Sequence, residues 1–160
     1  MNFQQLYDEY SSSIYRLCKG YVNDPIWAQD IVQETFISVW QNLASFKGAS
    51  SYRTWIFRIA VNNCLKQLKQ KKRRQNIEQS SLLEKSQIQI PEKEHPQLEH
   101  LFACIATLKE LDRIIISMVL EEIPQAEIAN ILGLSNGNVR TKIHRIKNII
   151  SKKMNQHESI

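Results

Sequence analysis

One short segment near the C-terminus carries the side chains best suited to reading nucleic acid. Within residues 136–145, polar and basic side chains share the surface left outside an apolar stripe: Asn136, Asn138, Arg140, Thr141, Lys142, His144 and Arg145. Asn can pair bidentately with adenine and Arg with guanine in the major groove, while Lys and Thr more often hold phosphates. The segment therefore predicts a helix surface that contacts duplex DNA.

The residues around this surface predict the two crossing helices that would position it. Ala129, Gly133 and Val139 follow one another at spacings of four and six. These spacings suit a small residue at a helix crossing, a glycine in the turn and an apolar anchor in the second helix. Ser135 stands where it would cap the second helix. The sequence predicts a helix-turn-helix from residue 124 to about residue 150; the alternative is an ordinary helical hairpin with a solvated basic face.

The rest of the chain also predicts helices. Of its 160 residues only four are Gly and four are Pro, too few for the frequent turns of a strand-rich fold. Apolar residues recur at steps of three and four from residue 3 to 21. A second helix is expected from Pro25, because Asp24 can cap it and proline fits the first turn. A third is expected from about Tyr52, ending in a basic stretch that the helix dipole favours.

The domain organisation follows from a break in this pattern. Residues 76–97 are polar, contain two prolines and show no sustained apolar stripe, which is typical of a linker. We therefore expect an all-α protein made of two small helical domains joined by this linker. The first domain would span residues 1–75, and the second, which contains the helix-turn-helix, residues 98–155. Residues 151–160 are polar enough to fray.

The second predicted helix has two unlike faces. Its apolar stripe consists of Ala28, Ile31, Val32, Thr35, Phe36, Val39 and Leu43. The opposite side carries Asp30, Gln33, Glu34, Ile37 and Gln41. Exposed carboxylates beside an amide can accept charge-assisted hydrogen bonds from arginines of a partner protein, although an isolated pattern of this kind is more often a solvated face.

An enzyme that acts on nucleic acid would need a nucleophile, a carboxylate cluster or a metal site. Asp30 and Glu34 form a carboxylate pair at helical spacing, but no second helix offers complementary ligands. The four histidines lack metal-ligand spacing, and the sequence has no glycine-rich phosphate loop. We therefore expect no enzymatic activity, no metal, no cofactor and no small-molecule substrate.

Cysteine usage and hydropathy predict a cytoplasmic protein. Cys18, Cys64 and Cys104 are odd in number, far apart and set among apolar residues, so buried free thiols are expected rather than a disulfide framework. No apolar run approaches the ~18 residues of a membrane span. The N-terminus lacks a basic segment followed by an apolar one. The formal net charge of +5 is compatible with a polyanionic partner.

Two parts of the chain resemble one known family. The run WAQDIVQETF at residues 27–36, followed by WIFRIA at 55–60 and by Asn62, resembles the first conserved domain of extracytoplasmic-function (ECF) sigma factors. The second match looks like the family's C-terminal promoter-reading domain and consists of Glu127, Ile128, Ala129, Gly133, Leu134, Ser135, Val139, His144 and Arg145. The order and spacing of the two parts agree, and the resemblance covers nearly the whole chain.

This resemblance implies an alternative sigma factor that binds core RNA polymerase and directs initiation at promoter DNA. It also implies an anti-sigma factor as a controlling partner. It assigns Asp30, Gln33, Glu34, Ile37 and Gln41 to the polymerase clamp. It assigns to the minus-ten element Lys47, Ser51, Tyr52, Arg53, Asn62, Lys66, Lys69 and Arg73. It assigns to the minus-thirty-five element Asn136, Asn138, Arg140, Thr141, Lys142, His144 and Arg145.

The sequence departs from the family pattern at several positions. Lys66 stands where an aspartate is common and Val61 where an arginine is common. The family's usual proline before the second helix of the second domain is absent. Leu111 and Asp112 stand there instead, and we expect Asp112 to cap this helix. A helix-turn-helix regulator that binds an operator without polymerase is the competing function, but it would leave the first domain without a role.

Overall fold

The computed structural model describes residues 1–77 and 95–158, with side chains for 1–72 and 95–156. Every regular element in these ranges is helical, which confirms the all-α prediction. The helices are α1 (Phe3–Val22), α2 (Pro25–Asn42), a 3-10 turn (Leu43–Ser45), α3 (Tyr52–Ile77), α4 (Pro96–Ala106), α5 (Glu110–Leu120), α6 (Gln125–Leu132) and α7 (Asn136–Glu158). Residues 78–94, most of the predicted linker, lie outside the described residues.

The first helices begin where capping residues satisfy their free N–H groups. Asn2 and Gln5 form a capping box at the start of α1. Asp24 accepts hydrogen bonds from the backbone N–H groups of Ile26 and Trp27 at 3.0 and 3.2 Å. The predicted cap at Asp24 is therefore confirmed, and it fixes the direction in which α2 leaves the turn.

Helices α1, α2 and α3 enclose the core of the N-terminal half. The predicted apolar stripe of α2 is buried except at its end, where Leu43 is half-buried. The prediction of buried free thiols is also confirmed. Cys18 of α1 and Cys64 of α3 have no exposed surface, and their Sγ atoms lie 3.7 Å apart. The hydrogen bond to Cys64 and burial raise the pKa of the Cys18 thiol well above its ordinary value.

Helices α4 to α7 form the C-terminal half around the long helix α7. Ile146 and Ile150 of α7 are buried. The helix continues to Glu158, so the expectation that the chain frays from residue 151 is wrong. The extra turns are held because Met154 packs against Cys104 of α4, with the two sulfur atoms 3.9 Å apart, and Lys153 hydrogen-bonds to Thr107.

The two halves pack against each other. Helix α1 lies against both α4 and α5, and α3 contacts α6. Buried apolar residues of both halves form one continuous cluster.

Candidate nucleic-acid interface and partner surface

The helix-turn-helix is present in the predicted place. Helix α6 follows Pro124 and ends at Gly133, whose φ of +68° is a left-handed conformation that glycine adopts without strain. Ser135 Oγ accepts a hydrogen bond from the backbone N–H of Asn138 at 3.1 Å, as expected for the cap of α7. Ala129 and Val139 are buried at the crossing of the two helices. The motif therefore has the rigid geometry needed to present the first turns of α7.

The N-terminal part of α7 presents most of its predicted DNA-facing residues to solvent. Lys142 is half-buried, and the exposed members are Asn136, Asn138, Arg140, Thr141, His144 and Arg145. Gln125 Nε2 donates a hydrogen bond to the carbonyl of Asn136 at 3.1 Å, which ties the starts of α6 and α7 together. The surface is therefore both open and held in place.

Arg145 has a second role that its spacing did not indicate. Its Nη2 atom lies 3.0 Å from each carboxylate oxygen of Asp112 in α5. Asp112 is 6% exposed, so this ion pair compensates a buried charge. The expectation that Asp112 caps α5 is wrong: Lys109 occupies the cap position without a side-chain hydrogen bond. Arg145 thus joins α7 to α5, and its guanidinium is engaged within the C-terminal half.

The predicted partner face of α2 is exposed along its whole length. Asp30, Gln33, Glu34, Ile37 and Gln41 are all exposed, as the two-faced pattern of the helix requires. Ile37 adds an apolar side chain to this set and is 55% exposed. Such a combination of acid, amide and apolar side chains is suited to a protein partner.

Trp40 extends this face and was missed at the sequence level. It is 66% exposed, one helical turn beyond Ile37. Its signal was available, because Trp40 falls outside the apolar stripe of α2 and three residues after Ile37, where helix neighbours meet. Exposed tryptophans are enriched among the residues that dominate protein interfaces.

A hydrogen-bond relay behind the α2 face fixes one of its carboxylates. Trp27 Nε1 donates to Gln67 Oε1 at 2.7 Å, and Gln67 Nε2 in turn donates to Glu34. Because Gln67 lies on α3, the relay holds the Glu34 carboxylate in one orientation while leaving it exposed.

The predicted minus-ten residues fall into three structural groups. Asn62, Lys66 and Lys69 are exposed and lie on one face of α3 at steps of four and three. The side chain of Arg73, one turn further, lies outside the described residues. Lys47 is exposed in the loop before α3, next to Gly48 with its φ of +72°. Asn62, Lys66 and Lys69 form an open basic strip on α3.

Ser51 and Tyr52 are committed to the local fold. Ser51 Oγ accepts a hydrogen bond from the backbone N–H of Thr54 at 3.1 Å, so it caps the start of α3. Tyr52 stacks on Phe46 with ring centroids 4.6 Å apart, and Phe46 also contacts Trp55 at 4.8 Å. The three rings fasten the loop to α3, and Trp55 packs against the core.

Arg53 is engaged by the opposite half of the molecule. Its Nη2 atom donates to the backbone carbonyl of Glu121, which ends α5. The neighbouring Thr54 donates from Oγ1 to Glu127 Oε2 at 2.8 Å. The corner of α3 that should face the minus-ten element is therefore in contact with the helix-turn-helix half.

Comparison with known proteins agrees with this geometry. Residues 6–74 match Sigma-70 region 2, and residues 98–149 match Sigma-70 region 4. The chain is 30% identical to the ECF RNA polymerase sigma factor SigW of Bacillus subtilis, over 95% of this chain and 88% of that protein. It is 32% identical to the ECF RNA polymerase sigma-E factor of Haemophilus influenzae, over 95% of this chain and 87% of that protein.

Two solved structures share the fold. The sigma factor RpoE, in complex with the anti-sigma factor NepR from Bartonella quintana, superposes with a TM-score of 0.80 at 19% identity and covers 96% of each chain. CnrH, in complex with the cytosolic domain of CnrY, gives a TM-score of 0.67 at 22% identity, over 96% of this chain and 88% of that one.

The two region matches and the identity to SigW and sigma-E show that the chain belongs to the ECF family of RNA polymerase sigma factors. It is therefore a transcription initiation factor that acts with RNA polymerase to direct promoter-specific transcription. The resemblance drawn from the DIVQETF run and the helix-turn-helix is confirmed. Among the described helices, none is long and apolar enough to cross a membrane.

Proposed function

We propose that the exposed face of α2 is the surface through which this sigma factor binds core RNA polymerase. The observation that carries the proposal is the exposure of Ile37 and Trp40 beside Asp30 and Glu34 on one rigid helix. Covering the two apolar side chains with a partner lowers the free energy of the complex, and the carboxylates attract a basic surface on the partner.

The open surface of α7 is proposed to read the minus-thirty-five element. Asn136, Asn138 and Arg140 lie at the start of the helix, which is the part that a helix-turn-helix inserts into the major groove. Thr141, Lys142 and His144 follow on the next turn and are suited to phosphate contacts. Arg145 is left out of the base-reading set because Asp112 holds its guanidinium.

The basic strip on α3 is proposed to follow the phosphates near the minus-ten element. Asn62, Lys66 and Lys69 are exposed to solvent in the part of the chain that the structure describes. Contacts of this kind release counterions, so affinity falls steeply as salt rises, and they carry little sequence information. Base recognition would instead use the α3 corner at Arg53 and the loop at Lys47.

An anti-sigma factor is proposed to control the chain. The sigma factor RpoE, which shares its fold, was solved in complex with the anti-sigma factor NepR, and CnrH, which also shares it, with the cytosolic domain of CnrY. The apolar part of the α2 face offers a partner of this kind an anchor. The chain would act in the cytoplasm, with polymerase, and would carry no catalytic group of its own. The bond-making chemistry belongs to polymerase.

Reconstituted transcription tests the proposal. Core polymerase with this chain should initiate from a subset of promoters, whereas neither component alone should do so. Asp30→Arg combined with Trp40→Ala should abolish both co-purification with core polymerase and transcription. Glu9→Arg changes an exposed carboxylate of α1, outside the proposed surface, and serves as the matched control. Retention of polymerase by the Asp30 and Trp40 double variant would exclude the α2 face as the docking surface.

A further inference from the structure

Three side chains that can bind a metal through nitrogen or sulfur meet between α4 and the C-terminal turns of α7. Cys104 Sγ lies 3.9 Å from His100 Nε2, one turn earlier on α4. The same sulfur lies 3.9 Å from the Sδ atom of Met154 on α7. The three residues lie outside the surfaces proposed to bind polymerase and promoter DNA, so their meeting calls for a separate explanation.

The distances between these donor atoms match those between ligands of one metal ion. Metal bonds of ~2.3 Å to sulfur and ~2.0 Å to nitrogen, ~120° apart, place two sulfur donors ~4.0 Å from each other and a sulfur ~3.7 Å from a nitrogen. His100 and Cys104 are four positions apart on one helix face, where side chains are neighbours. Both separations measured at Cys104 therefore fit a shared three-coordinate ion.

The burial of the three side chains gives the group a shielded base and an open edge. Cys104 is 5% exposed, whereas His100 and Met154 are half-buried. Cys18 and Cys64 belong to the continuous apolar cluster, but Cys104 does not. The Cys104 thiol is therefore shielded from water outside that cluster, and an ion could reach it past two side chains that border solvent.

Hydrogen bonds hold the two helices at this separation in the metal-free chain. Thr107 Oγ1 donates to the backbone carbonyl of Cys104 at 2.7 Å. Lys153, which precedes Met154 in α7, donates to the same hydroxyl oxygen. One threonine therefore links the backbone of the thiol residue to the turn that carries the thioether. Donor atoms held in place before the ion arrives favour its binding.

The donor set favours the cuprous ion over other metals. Thiolate and thioether sulfur select Cu(I), and one thiolate balances its single positive charge. A Zn²⁺ ion would keep an uncompensated charge in this shielded place, and structural zinc sites have four ligands. Within the described residues, no three His, Cys, Asp or Glu side chains are grouped so that they could hold a metal, so methionine has to supply the third donor.

We propose that His100, Cys104 and Met154 form a Cu(I) site that joins α4 to the C-terminal turns of α7. Cys104 releases its thiol proton to solvent as the copper–sulfur bond forms, and the neutral imidazole and the thioether each donate a lone pair, so copper is neither oxidised nor reduced. Because α7 begins with the helix-turn-helix surface, the ion ties the far end of that helix to α4. The expectation of no metal took no account of methionine as a ligand.

Competition for Cu(I) tests the site. The full-length, reduced chain is mixed without oxygen with the Cu(I) complex of bicinchoninate, whose colour reports the copper left on the chelator. The wild type should withdraw one equivalent. Met154→Leu keeps an apolar side chain of similar size but removes the sulfur, and it should weaken binding at least ~10-fold. Cys104→Ser should abolish this uptake. Met118→Leu removes a buried thioether from α5 and, as the matched control, should bind like the wild type.

Thermal unfolding gives a second measurement. Cu(I) should raise the Tm of the wild type and of Met118→Leu, because a ligand that binds the folded state stabilises it, and it should leave the Tm of Cys104→Ser unchanged. Uptake that survives in Cys104→Ser, uptake that is undiminished in Met154→Leu, or tighter binding of Zn(II) than of Cu(I) would each overturn the proposal. These measurements involve neither polymerase nor DNA, so failure of the proposed function would leave their result intact.

Discussion

The two surfaces that we propose to face DNA stand in opposite states. The start of α7 is open to solvent, capped by Ser135 and fixed to α6. The start of α3 carries Arg53 and Thr54, and both are bound by residues of the other half. A surface can therefore be held in place without being accessible. The local fold holds each surface in place, whereas the arrangement of the two halves determines whether that surface is exposed.

The largest effect should be a loss of stability when a charged residue replaces Val139, the residue that anchors α7 at its crossing with α6. Val139 has no exposed area, so Val139→Asp buries an unpaired carboxylate and should lower the free energy of unfolding by at least about 3 kcal/mol. Chemical denaturation followed by circular dichroism measures this loss. Arg140→Asp alters the adjacent exposed residue and should leave stability nearly unchanged. Equal losses in the two variants would contradict the assignment of Val139 as the anchor.

A smaller effect should appear when one side chain of the open surface is removed. Arg140→Ala should weaken minus-thirty-five recognition by about 1–3 kcal/mol and relax preference at one base position, if Arg140 pairs with a guanine. Binding of the polymerase complex to promoters altered one position at a time measures the preference. A uniform loss across all promoters would show that Arg140 contacts a phosphate instead.

The contact that covers the start of α3 can be tested through the ion pair between Arg16 and Glu121, which joins the two halves. A double-mutant cycle with Arg16→Ala and Glu121→Gln should give a coupling free energy of about 1 kcal/mol, because the Arg16 side chain is 45% exposed and solvent screens the pair. Global unfolding at low and high salt measures it, and the coupling should shrink as salt rises. Additive effects of the two single substitutions would show that the ion pair does not stabilise the contact between the two halves.

The last prediction concerns Tyr21 of α1, and its effect is confined to high pH. Burial raises the pKa of Tyr21 to about 12, above its ordinary value of about 10. The folded state therefore favours the neutral phenol, and its stabilisation is fully present below pH 10 and is lost as the pH rises from about 10 to 12. Tyr21→Phe keeps the ring but removes the proton. The Tm of the wild type should fall more steeply than that of the variant across this range.

Local features of the fold could be predicted because their signals are close together in sequence. Asp24 before Pro25 marks the start of α2, and Gly133 followed by Ser135 marks the turn between α6 and α7. Each rests on a backbone conformation or a cap that involves residues two or three positions away. The exposed face of α2 followed in the same way from helical periodicity.

The pairings that change the interpretation of the site join residues far apart in the chain. Arg145 meets Asp112 and Arg53 meets Glu121, across 33 and 68 positions. Composition and spacing carry no information on such contacts, so both arginines were predicted to face DNA alone. The extent of α7 was missed for the same reason, since Met154 is held by Cys104 from another helix.

The three buried cysteine thiols can report when each half of the chain opens, because a thiol reagent modifies them only after they become exposed. A thiol reagent attacks the thiolate, and the Cys18 pKa is raised while Cys18 and Cys64 have no exposed surface. Modification of either must therefore wait for the N-terminal half to open, whereas Cys104 reports on the C-terminal half. The relative labelling rates of these positions would show whether the halves open as one cooperative unit or as two.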